Sequence, residues 1–237
     1  MRSRVTTPSS RRPDRAIQSR WIGPLVPLVD PRRRTIALRA RVRLGPADGV
    51  TEAIDSGVRA MRDQALGAER PGPGRIFAIP QLAPAAMGIL VERLLALHRS
   101  TPPFRVEVPL ACFLAEPAAT IRALNRLASR RVGIWLGEFG RGGAPLDVLH
   151  RLPVSGVTLS GRIVARLGLD AASHAVLDGL VAGARRLDVS VTALGVSDET
   201  QLRWVVSAGC DAATGPLFHP DAPDGHDRPL SDVQVSD

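Results

Sequence analysis

The sequence predicts an α/β fold, a TIM-like (β/α)8 barrel with an early antiparallel strand. Three observations carry that prediction. Residues 132–160 read as a strand, a glycine-rich turn, a helix and a second strand. From residue 51 onward, short apolar runs rich in strand formers alternate with segments of helical period, so that about eight strands are expected with helices between most of them. The chain has 237 residues, near the roughly 250 typical of one such barrel.

The 132–160 unit opens on Val132-Gly133-Ile134-Trp135-Leu136, breaks at Gly137-Glu138-Phe139-Gly140, and passes through Arg141-Gly142-Gly143 into a helix-period segment. A second apolar run over 154–159 reaches Ser160 with hardly a polar side chain, as expected of a parallel strand buried on both faces. Ligand sites in such sheets form at the C-terminal ends of strands, here at Gly137-Glu138 and at 158–160.

The remaining elements follow in order. Residues 25–30 and 35–44 are predicted as strands joined by a turn over 31–34, short enough for an antiparallel hairpin. Ala53, Ile54, Val58, Met61 and Leu66 give a helix over 51–66, and Pro71-Gly72-Pro73-Gly74 marks a loop. Strands at 75–79 and 104–108 flank an amphipathic helix over 82–98. A helix over 116–129 carries Pro117 at its start, where a missing N–H costs nothing. Helices over 171–187 and 198–208, the latter with Asp198 as N-cap, and strands at 189–193 and 211–215 complete the pattern.

Composition narrows the function classes. Aromatics make up 3% and tyrosine is absent, so the core leans on Leu, Val, Ile and Ala. All 31 basic residues are Arg, which excludes lysine-dependent chemistry. The net charge of +8 is an N-terminal property: residues 1–43 hold 12 Arg against Asp14 and Asp30, a net of +10, and the remainder holds 19 Arg against 21 acids, a net of −2. Residues 1–20 form a basic arm too poor in apolar residues to order itself, and 221–237 form a Pro/Asp-rich tail; both are expected to be disordered around a barrel domain over 21–220. Cys112 and Cys210 lie in or beside apolar stretches, as thiols buried in a reducing cytoplasm would. No stretch approaches the ~20 apolar residues of a membrane span. His219 and His226, in the tail, suggest a metal site only by composition, and the five His show no ligand spacing.

The ordered motifs resemble the EAL domain family, the bacterial cyclic di-GMP phosphodiesterases. The resemblance covers roughly 22–220 and is strongest after residue 100. Where the family reads Asp-Asp-Phe-Gly-Thr-Gly, this chain has Gly137-Glu138-Phe139-Gly140-Arg141-Gly142; where it reads Leu-Pro-Val-Asp-x-Leu-Lys-Ile-Asp, this chain has Leu152-Pro153-Val154-Ser155-Gly156-Val157-Thr158-Leu159-Ser160. Gly209-Cys210-Asp211-Ala212-Ala213-Thr214-Gly215-Pro216-Leu217-Phe218 is similar to the family's Gly-Cys-Asp-x-x-Gln-Gly-x-Leu-Phe. The resemblance implies an EAL-type barrel whose early strand runs antiparallel. It also implies phosphodiester hydrolysis assisted by two divalent cations, which needs carboxylates.

The chemical positions differ from that pattern. The motif glutamate is Arg39, its leucine Arg41, the asparagine falls near Ala78, and the first aspartate of the turn is Gly137. Thr158 stands for the lysine, Ser160 for the aspartate after it, Leu194 and Ser197 for two late glutamates, and Thr214 for the glutamine. Glu107 is retained and Glu138 keeps a carboxylate on a longer arm; Arg43 matches an arginine that contacts the nucleotide phosphate.

Alternation places Arg39, Arg41 and Arg43 on one strand face. An arginine–carboxylate cluster with Glu107 and Glu138 then stands where cations would sit. The alternatives are a displaced hairpin with solvated arginines, or residual charge that receives a phosphate-bearing ligand. Gly140-Arg141-Gly142-Gly143 reads either as a phosphate cradle or as a structural turn. The expected site comprises Arg39, Arg41, Arg43, Glu107, Glu138, Thr158 and Thr214, with no catalytic residue, no metal and no cofactor. The resulting expectation is a catalytically inactive EAL-like domain acting as a regulatory or protein-interaction module with an unidentified protein partner. The alternatives are a receptor for cyclic di-GMP or another anion, a nucleic-acid-binding protein working through the arm, and, last, an active phosphodiesterase. A homodimer is implied by resemblance only.

Overall fold

The computed structural model describes residues 25–43, 49–66, 74–140 and 147–218. Both expected disordered ends, 1–20 and 221–237, and the glycine loop 141–146 lie outside the described residues.

Eight strands close into a barrel in chain order: β1 (Val26–Val29), β2 (Thr35–Arg41), β3 (Gly74–Ala78), β4 (Phe104–Pro109), β5 (Gly133–Phe139), β6 (Gly156–Leu159), β7 (Ser190–Leu194) and β8 (Ala212–Thr214). The expected antiparallel strand is β1, which runs against both β2 and β8, while every other neighbouring pair is parallel. Asp30 builds the β1–β2 turn. One carboxylate oxygen accepts the Arg32 and Arg34 backbone N–H groups at 2.9 Å each, and the other accepts Arg34 Nε at 2.8 Å. These donors, the Arg34 backbone amide foremost, hold the carboxyl below its ordinary range.

Helices α1 (Val50–Leu66), α2 (Pro84–His98), α3 (Leu110–Ala115), α4 (Pro117–Ala128), α5 (Asp147–Arg151), α6 (Gly161–Val164), α7 (Ala171–Arg186) and α8 (Glu199–Ser207) accompany the strands. The long ones match their predicted spans within two residues. The short helices α3 and α6 were not legible, because six and four residues are too few to establish a 3.6-residue period. Asp198 caps α8 as expected, accepting the Gln201 N–H at 2.8 Å. Asp170 does the same for α7 with Ser173 at 2.6 Å, and Arg166 with that N–H holds its carboxyl down at about 2. Among the described residues no helix is long and apolar enough to cross a membrane.

Apolar side chains fill two separate spaces. The larger cluster lies between the sheet and the helices, with Ile54, Leu94, Leu124 and Leu136 fully or almost fully buried. The smaller lies within the barrel and consists of Leu28, Ala37, Ile76, Trp135 and Ala212. Glycines on neighbouring strands make the second possible. A Cβ on Gly156 would come within 2.5 Å of the Trp135 ring, and Cβ atoms on Gly74 and Gly133 would meet the Arg105 side chain at 2.8 and 2.9 Å. The buried Trp135 ring therefore occupies room that Gly156 leaves, while the exposed Arg105 side chain lies over Gly74 and Gly133. Gly156→Val is expected to lower unfolding free energy by about 1–3 kcal/mol through overpacking against Trp135. Gly88→Ala, in the middle of α2 with open space around it, is expected to raise it by about 0.5–1 kcal/mol. Urea denaturation of both variants checks the contrast.

Candidate functional site

The C-terminal ends of β2 to β5 surround a cavity of about 260 Å³. Arg39, Arg41, Glu107, Gly137 and Glu138 line it, with Pro80 and Gln81 from the segment after β3. This is the end of the barrel at which the sequence places the site.

Its centre is a buried ion pair. Arg39 Nε donates to Glu107 Oε2 at 2.6 Å and Arg39 Nη2 to Oε1 at 2.8 Å, a two-point contact. The Glu107 side chain is 3% exposed and that of Arg39 11%. Thr158, fully buried on β6, donates its hydroxyl to Glu107 Oε1 at 2.9 Å. Both carboxylate oxygens thus receive donors from this chain. The pair reaches diagonally across β3: Arg39 pairs with Ile76, whereas Glu107 pairs with Ala78 two residues further along that strand.

Gly137 lies beside Glu107 on β5, and a Cβ there would sit 2.8 Å from Glu107 Oε1. The missing side chain is a steric requirement of the ion pair. Immediately after it the ladder to β6 slips: Leu136 pairs with Val157, but Phe139 with Leu159. Glu138 takes up this bulge in left-handed backbone, φ 59°, a conformation costing about 1–2 kcal/mol for a residue with a side chain. The bulge brings Glu138 to the cavity wall.

Arg39, Glu107 and Thr158 are therefore in contact, and Arg41 and Glu138 share their cavity. Arg43 is exposed past the end of β2 and does not line the cavity. The expected alternation carries two of the three arginines to the mouth, and the third has left the strand. Thr214 is buried at the end of β8, where its carbonyl accepts the N–H groups of Gly195 and Val196 at 2.8 and 3.1 Å, and it too lies off the cavity lining.

Other polar candidates serve the fold. Ser160 accepts the Arg162 N–H and caps α6, and Ser197 binds Gln201 Oε1 through both its amide and its hydroxyl. Both cysteines are buried as free thiols. Burial pushes the Cys112 thiol up and that of Cys210 up to about 12, so neither supplies a thiolate near neutrality. Sequence reasoning missed the dependence of Glu107 on Gly137; the only signal was a small residue where a charged one is usual, which does not say what fills the space.

Arg39→Leu is expected to cost about 3–5 kcal/mol, because it leaves a buried carboxylate without its partner. Arg39→Leu combined with Glu107→Met should recover most of that loss, which a double-mutant cycle in urea would measure. Ellman's reagent at pH 8 should leave both thiols unmodified in the folded protein and modify two in guanidinium.

Residues 35–221 match the family model of the EAL domain. The chain is 29% identical over 147 residues to the cyclic di-GMP phosphodiesterase RocR of Pseudomonas aeruginosa, covering 62% of this chain and 38% of RocR. It is 29% identical over 139 residues to the bifunctional diguanylate cyclase/cyclic di-GMP phosphodiesterase MucR of the same organism, covering 58% of this chain and 20% of MucR. The match thus takes in well under half the length of either relative. Among solved structures, the fold superposes on the MucR phosphodiesterase in complex with cyclic di-GMP with a TM-score of 0.69 at 24% identity, covering 86% of this chain and 93% of that one. For the S helix-GGDEF-EAL portion of Vibrio cholerae LapD the TM-score is 0.71 at 17% identity, covering 86% and 54%. With most of its length matched by the family model, and a closed barrel of the same fold, the chain belongs to the EAL domain family.

Proposed function

We propose that this chain is a catalytically inactive EAL domain that acts as a regulatory or protein-interaction module in cyclic di-GMP signalling. The observation that carries this reading is the two-point contact of Arg39 with Glu107. Metal-assisted hydrolysis requires a cluster of oxygen ligands able to concentrate positive charge on a water and a phosphoryl group. At this mouth the retained carboxylate is neutralised by a guanidinium, accepts a second donor from Thr158, and has Gly137 beside it in place of a further ligand. Glu138 remains a carboxylate at the rim. That donor set does not fit a pair of divalent cations, and no hydrolytic step is derived from it.

A second reading has its own support. Arg41 lines the same cavity, so the mouth holds a further guanidinium that suits a phosphate-bearing ligand held without hydrolysis. Cyclic di-GMP is the ligand that the curated relatives suggest. The buried free thiols accord with work in a reducing cytoplasm.

Calorimetric titration with cyclic di-GMP, with and without Mg²⁺, followed by chromatography of the nucleotide, tests both readings. The expected product yield is nil in either condition, and accumulation of linear dinucleotide would overturn the proposal. Metal-independent binding weakened about tenfold or more by Arg41→Gln, the scale of one charge-assisted hydrogen bond, would establish the receptor reading. Absence of heat would leave the protein-interaction role.

A further inference from the structure

A second and larger cavity, about 440 Å³, lies beside the first, between the start of α2 and the corner where α3 meets α4. That volume is within the range of small-molecule sites. The backbone opens it: Glu116, at φ −144° and ψ 76°, interrupts the two helices, and prolines at 84 and 117 begin α2 and α4 on either side. Small side chains keep it open, since Ala83, Ala115 and Ala119 stand where larger residues would fill it. Leu82, Met87 and Cys112 supply apolar surface.

Its polar groups divide into two sets. The Thr120 hydroxyl is committed to the Cys112 carbonyl at 2.9 Å, and the Leu82 backbone amide to the Cys112 sulfur. The Gln81 amide group and the Glu116 carboxylate make no side-chain hydrogen bond or ion pair among the described residues. Among the described residues, Glu116 is the only charged one of the lining. An apolar pocket with one carboxylate and one amide at its edge disfavours anions. It matches a ligand with an apolar body and a single cationic donor group.

We propose that this cavity is a binding site for a small organic cation, an amine or amidine carried on a ring or short hydrocarbon, with Glu116 as counter-ion and Gln81 as the second polar contact. The site is separate from the barrel mouth. The two cavities are nevertheless contiguous, because Gln81 lines both. The same segment is anchored to the site strand by the Ile79 N–H, which donates to the Glu107 carbonyl at 3.0 Å. An occupant of the second cavity therefore bears on the wall of the first.

Benzamidinium is a suitable probe, with neutral benzamide of the same shape as its comparison. Titration of the full chain, followed by amide chemical shifts, should show saturable benzamidinium binding with shifts centred on 81–83, 112 and 115–120. Glu116→Gln, an exposed substitution that leaves the fold intact, should weaken binding about tenfold or more, as should the change to benzamide. Ala119→Leu, which fills the cavity from its half-buried side, should abolish it. Equal binding of benzamide and benzamidinium, insensitivity to Glu116→Gln, shifts centred elsewhere, or no binding at millimolar probe would each overturn the assignment.

Discussion

Opposite charges placed out of water must satisfy one another, and the mouth of this barrel is arranged around that constraint. The Arg39–Glu107 pair joins β2 to β4 across β3, draws in the Thr158 hydroxyl from β6, and requires that Gly137 on β5 carry nothing. Three other strands, β2, β5 and β6, contribute a residue whose size or donor is matched to this one carboxylate. Such a pair adds little net stability compared with apolar groups of the same shape, but either half alone is expensive. The arrangement is therefore specific more than it is stabilising, and it gives the mouth a set geometry without a bound ion.

Below the mouth the same logic operates with volume instead of charge. The interior is narrow, and Trp135 and Glu107 fit only because Gly156 and Gly137 give way beside them. Large and absent side chains alternate around the closed sheet as they must in a small barrel. One buried hydroxyl, that of Thr192 on β7, has no hydrogen-bond partner among the described residues, although its strand neighbour Thr158 is committed to Glu107. A group of this kind is where an internal water is ordinarily held.

Much of this was legible in the chain, for identifiable reasons. Period-2 and period-3.6 patterns revealed the strands and long helices, and the four-residue turn after Asp30 forced the antiparallel hairpin. The contact of Arg39 with a carboxylate followed from strand alternation plus the impossibility of burying a guanidinium alone. The limits were equally physical. Arg43 lies two residues past the end of β2, where alternation no longer applies. Thr214 turned out to matter through its carbonyl, which any residue would supply. The bulge at Glu138 depends on how β5 meets β6, and local sequence does not encode a register. The cavity at the α3–α4 corner arises from alanines that look like ordinary helix formers until the packing shows that nothing covers them.

The space beside Glu107 also bears on which substitutions the mouth can accept. A carboxylate placed at position 137 would collide with Glu107, and Glu107 cannot move aside while Arg39 grips both its oxygens. Removing Arg39 first strands a buried charge. Either single change, a side chain at 137 or the loss of Arg39, thus leads to a less stable protein, so the residues around this carboxylate can change only together.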